Sequence, residues 1–128
     1  MVCGPVAPAA MVPDVQRATG QAAPTLQAQG ATPWRIDAFL AGYRGAGGAA
    51  NYEAHIVEDV IPCEYGWEPW QPGNGYLSRA QFDPQSWETA GGGDPADDYT
   101  VGANMARWMA MVDPGSSAGW PVCWWIKK

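Results

Sequence analysis

Glycine and proline divide this chain into short segments. Four clusters, "GAGG" at 45–48, "PWQPGNG" at 69–75, "AGGGDP" at 90–95 and "DPG" at 113–115, are stretches that regular helices and strands rarely cross. Only short elements therefore fit between them. With 128 residues in total, the chain is long enough for one domain with a modest core, and a second domain is not expected.

The first two segments carry apolar residues at helical spacing. Thr32-Pro33 predicts a helix start, and the stripe that follows consists of Ile36, Phe39, Leu40 and Tyr43. Asn51 is a suitable cap for a second helix that ends near Glu64. Its predicted inward stripe consists of Tyr52, Ile56, Val60 and Ile61. Residues 1–31, rich in Ala, Pro, Gln and Gly, are predicted to be an irregular linker or strap that precedes the domain at 32–128.

Two more helices are predicted in the second half of the chain. Asp83 and Pro84 suit the cap and first position of a short helix that the following glycines end. A last helix is expected from about Pro95 to Met111, with an inward face of Val101, Met105, Trp108, Met109 and Val112. The segment from Glu68 to Ser78 predicts turns or a short hairpin at Asn74-Gly75. The expected class is mainly α.

Three cysteines, Cys3, Cys63 and Cys123, are spaced too widely for a metal cluster, and no metal site or organic cofactor is expected. Cys63 and Cys123 flank the aromatic-rich half of the chain, whereas Cys3 lies in the N-terminal segment. A disulfide between Cys63 and Cys123 is therefore predicted, with Cys3 left over. Closing a loop of about 60 residues would stabilise the fold by about 4 kcal/mol. Free buried thiols remain the alternative.

Charge excludes one class of partner. The formal net charge is −6 and the longest basic run is Lys127-Lys128, so a nucleic-acid partner is not expected. No apolar run approaches the roughly 20 residues that a membrane-spanning helix needs. Residues 1–30 lack the basic start and apolar centre of a secretory signal, so no signal peptide is visible.

Glu64 is the strongest candidate for chemistry. Tyr65, Trp67 and Trp70 follow it closely, and apolar surroundings raise the pKa of a carboxyl group until it can donate a proton near neutral pH. The alternative is a solvated surface glutamate. Glycoside cleavage usually needs a second carboxylate, but Glu68, Asp83 and the aspartates at 94–98 are better explained by other roles. Without one, a nucleophile must come from the substrate.

Three motifs occur in an order that indicates a known family. "CEYGW" at 63–67, "GNGYLSRAQFDPQSWETAGG" at 73–92 and "GWPVC" at 119–123 together resemble the resuscitation-promoting-factor domain of secreted actinobacterial proteins. This domain is a reduced relative of lysozyme and of lytic transglycosylases. The resemblance covers Ile61 to Cys123, about half of the chain. It implies an α+β, lysozyme-like version of the mainly helical fold.

The resemblance also implies a function, which is cleavage of the bond between N-acetylmuramic acid and N-acetylglucosamine in peptidoglycan. Glu64 would be the catalytic acid and base, Gln81 would line the groove floor, and Asn74 and Tyr76 would lie on the substrate-side loop. Tyr65 and Trp70 complete the predicted cleft, and Cys63–Cys123 would be the family disulfide. In relatives of the transglycosylase type, the muramic 6-hydroxyl supplies the missing nucleophile.

Two departures from the family pattern leave alternatives open. Tyr65-Gly66-Trp67 replaces a Ser-Gly-Gly-like turn, and Ser78-Arg79 stands where two glycines are common, which predicts a narrower or differently shaped groove. The alternative function is a wall-binding or phage virion module that has the fold without the chemistry, with 1–31 as a segment that could contact a partner. The expected location is the cell wall or extracellular space, or a phage particle.

Overall fold

The structure, a computed structural model, describes the backbone of residues 25–127 and the side chains of residues 33–127. Helices and turns make up this part of the chain, and no strand occurs in it, which confirms the mainly helical class. We number four helices: α1 is Thr25–Gly45, α2 is the continuous helical run at 50–64, α3 is Pro84–Ala90 and α4 is Asp98–Met109. A 3₁₀ turn, Cys123–Trp125, follows near the end of the chain.

Helix α1 begins earlier than predicted. The sequence places its start at Thr32-Pro33, but the helix begins at Thr25 and contains Pro33. Leucine, glutamine and alanine, which precede the proline, are good helix formers, and one proline removes only one backbone donor. The helix therefore includes residues 25–31 of the segment predicted to be irregular, and residues 1–24 lie outside the described part. From Arg35 onward, the chain folds into one compact unit, Arg35–Lys128.

Helix α2 changes its winding along its length. It starts as a 3₁₀ turn, Ala50–Tyr52, continues as an α-turn, Glu53–His55, widens into a π-helix, Ile56–Val60, and ends as an α-turn, Ile61–Glu64. The predicted cap is wrong, because Asn51 lies inside the first turn and no side chain caps that turn. The predicted end at Glu64 is confirmed.

Pro62 explains why one backbone carbonyl in the π segment accepts its hydrogen bond from a side chain. The N–H of Ile61 bonds to the carbonyl of Ile56, five residues back. With this spacing Pro62 would be the partner of Val57, but proline has no N–H to donate. The indole Nε1 of Trp67 donates to the Val57 carbonyl instead, at 3.0 Å. Trp67 is consequently buried against α2.

The start of α3 is as the sequence predicts, and the start of α4 is three residues later. The side chain of Asp83 accepts the N–H of Ser86 at 2.9 Å, directly before Pro84, and the helix ends at Gly91 with φ of 134°. Helix α4 begins at Asp98 and not at Pro95, because Asp97 is the cap and accepts the N–H of Thr100 at 3.1 Å.

Of the two predicted alternatives for Glu68 to Ser78, turns or a short hairpin, the structure shows turns. Leu77 and Phe82 form an isolated antiparallel bridge, with N–H···O distances of 2.7 and 2.9 Å, and residues 78–81 connect them. Ser78 (φ 70°) and Gln81 (φ 55°) take left-handed backbone conformations that side chains disfavour. The Asn74 side chain accepts the N–H of Tyr76 at 3.1 Å, so the Asn74-Gly75 pair closes a local turn and not a two-stranded ladder.

The core lies between α1, α2 and α4. The predicted stripes are largely confirmed, since the fully buried side chains include Phe39, Tyr43, Ile56, Val60, Ile61, Val101 and Met105. Ile36, Leu40, Trp108 and Met109 are partly buried against this core, whereas Tyr52 is 37% exposed and meets Trp124 edge to face. Helices α1 and α4 approach backbone to backbone, because a Cβ at Gly42 would collide with the Tyr99 carbonyl and one at Gly102 with the Phe39 carbonyl.

The C-terminal segment is joined to α2 at two points. The predicted disulfide is confirmed, with Cys63 and Cys123 bonded and their Cα atoms 5.6 Å apart. Nearer the start of α2, the His55 ring lies 2.9 Å from the Asp59 carboxylate and 2.5 Å from the Trp124 carbonyl. Cys3 lies outside the described residues. The covalent bond thus places the chain around Cys123 beside the end of α2.

Candidate active site

Glu64 is the last residue of α2, and the backbone after it turns sharply away. The N–H groups of Tyr65 and Gly66 both bond to the carbonyl of Ile61, at 2.9 and 2.8 Å. Gly66 has φ of 109°, a left-handed conformation that commonly ends helices at glycine. Glu64 is therefore held at a helix end and not in a loose loop.

The Glu64 side chain lines a cavity of about 490 Å³. Its walls come from the turn after Leu77, the start of α3, one residue of α4 and the C-terminal segment at 117–123. The residues that give the cavity its chemical character are Glu64, Tyr76, Gln81, Asp83, Trp108 and Trp120. The cavity therefore combines two carboxyl groups with an amide and aromatic rings.

Burial raises the pKa of Glu64 to about 7. The cause is loss of hydration, because the carboxyl group is half-buried and its charged form is disfavoured where water is excluded. No described residue donates a hydrogen bond or a positive charge to this carboxyl, so nothing offsets the effect of burial. Near neutral pH a substantial fraction of Glu64 holds a proton that it can donate.

The second carboxyl group in the cavity, Asp83, has the opposite character. Hydrogen bonds from the backbone N–H (2.9 Å) and the hydroxyl (2.8 Å) of Ser86 lower its pKa. Asp83 is exposed and stays ionised at neutral pH. The sequence explains this residue as a helix cap, and the structure confirms that role, but it also places the carboxylate at the cavity. Two groups with pKa values pushed apart are typical of acid–base sites.

A chain of side-chain hydrogen bonds orients Gln81. Asn74 Nδ2 donates to Gln81 Oε1 at 2.8 Å, and Gln81 Nε2 donates to the carbonyl of Ser78 at 2.9 Å. Because both ends of the amide are held, the Gln81 side chain has a fixed orientation at the cavity that it lines. Tyr76, which is half exposed, lines the same cavity.

The other predicted cleft residues do not line this cavity. The Tyr65 side chain stabilises the loop that follows it, because its hydroxyl accepts the N–H of Gln71 at 3.0 Å. Trp70 is partly buried, and its buried indole nitrogen has no hydrogen-bond partner among the described residues. Asn74 contributes only through Gln81. The structure thus brings together Glu64, Tyr76 and Gln81 of the predicted set.

Sequence reasoning missed one wall of the cavity, which comes from Trp108 and residues 117–122. The helical spacing predicts Trp108 as core, but it is only partly buried, and its Nε1 donates to the Ala118 carbonyl at 2.8 Å. Trp120 is buried and donates from Nε1 to the Ala80 carbonyl at 2.7 Å. The bond to Cys123 was the available signal, because it brings this segment next to Glu64.

Within the described part, no group of three His, Cys, Asp or Glu side chains is arranged to hold a metal ion. A search of the same residues finds no helix with the length and apolar character needed to cross a bilayer. Comparison of the chain with protein-family models, with curated proteins and with solved structures found no match. Any functional assignment must therefore rest on the site itself and on the motifs that form it.

Proposed function

We propose that this protein is a peptidoglycan-cleaving glycosidase, a lytic transglycosylase or a muramidase, that cuts the bond between N-acetylmuramic acid and N-acetylglucosamine. The observation that carries the proposal is Glu64: a half-buried carboxyl group in a cavity, without a partner among the described residues and with its pKa raised to about 7. A glycosidic oxygen leaves readily only when an acid of this kind protonates it.

The cavity lining supports a sugar as the ligand. Flat aromatic side chains, Tyr76 and Trp108, offer apolar surface, while the Gln81 amide offers a directed donor and acceptor. Sugars have both an apolar face and hydroxyl groups at their edges, so this mixture is complementary to them. The resemblance of the three motifs to the resuscitation-promoting-factor domain favours peptidoglycan as the particular glycan.

The proposed mechanism uses Glu64 twice. The protonated carboxyl group donates its proton to the leaving oxygen as positive charge develops at the anomeric carbon. The resulting carboxylate then accepts a proton from the attacking hydroxyl, which belongs to the muramic acid in a transglycosylase and to water in a hydrolase. Asp83, ionised at the same cavity, would stabilise the developing positive charge. In the transglycosylase pathway the muramic hydroxyl is the nucleophile, so no second carboxylate is required for that role.

The decisive experiment is digestion of purified peptidoglycan by the wild type and by Glu64→Gln, with the products identified by mass spectrometry. We expect the substitution to lower the cleavage rate at least about a hundredfold, because the amide cannot transfer a proton. Glu68→Gln, at an exposed position four residues away, is the matched control and should retain the wild-type rate. Circular dichroism should show that both variants are folded.

The products separate the possible functions. Anhydro-muramic ends indicate a transglycosylase, and reducing ends indicate a hydrolase. Intact glycan that is nevertheless retained by the protein would contradict the enzymatic proposal and favour a wall-binding or virion module. A Glu64→Gln variant with the full lytic rate would also refute the role given to this residue.

A further inference from the structure

A buried arginine, Arg79, contacts the segment that follows Glu64. Its Nη1 donates to the carbonyl oxygens of Gly66 (2.6 Å) and Glu68 (2.8 Å). The guanidinium carbon lies 5.2 Å from the centre of the Trp67 ring, and the residue is only 1% exposed. The sequence suggested that Arg79 alters the groove, but its side chain points into the protein.

The other side of the guanidinium connects two more segments. Arg79 Nε donates to Asp98 Oδ1 at 2.6 Å, at the first residue of α4, and Asp98 is 7% exposed. The Arg79 backbone belongs to the turn at 78–81 that ends at Gln81. One residue therefore joins the segment after Glu64, the turn that carries Gln81, and the start of α4.

The segment that Arg79 holds has no regular structure of its own. A second arginine, Arg35, donates from Nη1 to the Trp67 carbonyl at 3.1 Å. Three successive carbonyls, those of Gly66, Trp67 and Glu68, thus accept hydrogen bonds from arginine side chains. Since no ladder or helix fixes this part of the backbone, the two guanidinium groups hold its carbonyls, in addition to the bonds that Gly66 N–H and the Trp67 indole make to α2.

A buried ion pair is weak evidence for stability, because apolar residues of similar volume often stabilise a fold equally well. What the pair provides is geometry, since a planar guanidinium donates in fixed directions. We propose that Arg79 is a positioning residue that holds the end of α2, and with it the Glu64 carboxyl group, in a fixed relation to Gln81. This inference rests on the proposed function, because Glu64 must act at the cavity for its position to affect a rate.

The test compares the wild type with Arg79→Lys. Lysine retains the positive charge but cannot donate to Asp98 and to two carbonyls with the same fixed geometry. We expect kcat to fall about tenfold while KM changes less than about twofold, because positioning affects the reacting group more than ground-state binding. The matched control is Arg44→Lys, which alters an exposed pair with Glu53 and should leave both constants unchanged.

A second readout does not depend on activity. The Glu64 carboxyl resonance can be followed by carbon NMR against pH and assigned by its absence in Glu64→Gln. In Arg79→Lys, looser packing should admit water and move the midpoint down by about half a pH unit or more. A folded Arg79→Lys variant with the wild-type kcat and midpoint would overturn the inference.

The inference can still be tested if the wild type is inactive or if Arg79→Lys does not fold. If the wild type cleaves no glycan, the proposed function fails, and the NMR midpoint alone decides whether Arg79 positions Glu64. If Arg79→Lys does not fold, Asp98→Asn replaces it, because loss of the carboxylate charge weakens the hold on Arg79 while the remaining amide oxygen still offers one acceptor, a milder change for the fold. A downward shift of the Glu64 midpoint in that variant supports the inference, and an unchanged midpoint overturns it.

Discussion

Two acidic residues, the half-buried Glu64 and the buried Asp98, differ in what surrounds them. Asp98 accepts a hydrogen bond from Arg79 at 2.6 Å, with a second arginine, Arg35, near enough to act on it electrostatically. Burial raises the pKa of Asp98, and both arginines oppose that rise. Glu64 is less buried, yet no described residue offsets its desolvation. The comparison indicates that a paired carboxylate maintains the architecture, whereas one without such a partner is available for proton transfer.

The largest effect on stability is expected from Asp98→Ala. The substitution leaves the Arg79 guanidinium buried without its counter-charge, which should lower the free energy of unfolding by about 4 kcal/mol. Urea denaturation at neutral pH measures the change. Glu53→Ala is the control, because its partner Arg44 is largely exposed, and it should cost less than about 1 kcal/mol. Equal losses in the two variants would remove the distinction between Asp98 and an ordinary surface partner.

A smaller effect, with the opposite sign, is expected from Glu64→Gln. The pKa is raised from 4.5 to about 7 on folding, so between these values the unfolded chain has lost a proton that the folded protein still holds. The wild type should therefore lose stability as pH rises through this window, and most of that loss should be absent in the variant. After discounting for solvent contact, we expect a difference on the order of 1 kcal/mol at pH 8 and none near pH 4.

Thermal unfolding of both proteins across pH 4 to 8 measures this difference, with Glu68→Gln as the control at an exposed position. A variant that gains nothing at pH 8 would mean that the Glu64 carboxylate has a compensating environment. Glu64 and Asp98 would then no longer differ in whether neighbouring groups offset the desolvation of the carboxylate.

The smallest effect concerns Asp83, the exposed carboxylate of the cavity. Asp83→Ala removes the cap of α3 and should cost about 1 kcal/mol, whereas Asp83→Asn should cost only a few tenths because asparagine also caps helices. If the muramic hydroxyl is the nucleophile, Asp83→Asn should keep kcat within about threefold of the wild type. A stable Asp83→Asn variant with a hundredfold lower kcat would instead make Asp83 a catalytic partner of Glu64.

Local signals in the sequence are sufficient for the parts of the fold that depend on neighbouring residues. Residues within a few positions of each other determine three of these parts: the start of α3 at Asp83-Pro84, the apolar stripes of α1 and α4, and the end of α2 at Glu64. The start of α1 differs from its prediction because Pro33, which usually marks a helix boundary, lies inside this helix. The π segment was not predicted, because the bond that satisfies its Val57 carbonyl comes from the Trp67 side chain, which no helical spacing indicates.

The candidate site is only partly predictable for the same reason. Glu64 stands out through its aromatic neighbours in sequence, and Gln81 through the motif around it. Closeness in sequence predicts Tyr65 and Trp70 in the cleft, but α2 ends and the chain turns away. The wall from Trp108 and residues 117–122 depends on contacts across the fold, and so does the inward direction of Arg79.

The contact of α1 with α4 at Gly42 and Gly102 limits how this protein could vary. Because peptide groups meet there without intervening side chains, the spacing between the two helices does not depend on the size of any side chain at that point. Substitutions elsewhere on either helix can reshape the surface while α1 and α4 keep their separation at this contact. The two glycines themselves are consequently the positions at which this pair of helices tolerates substitution least.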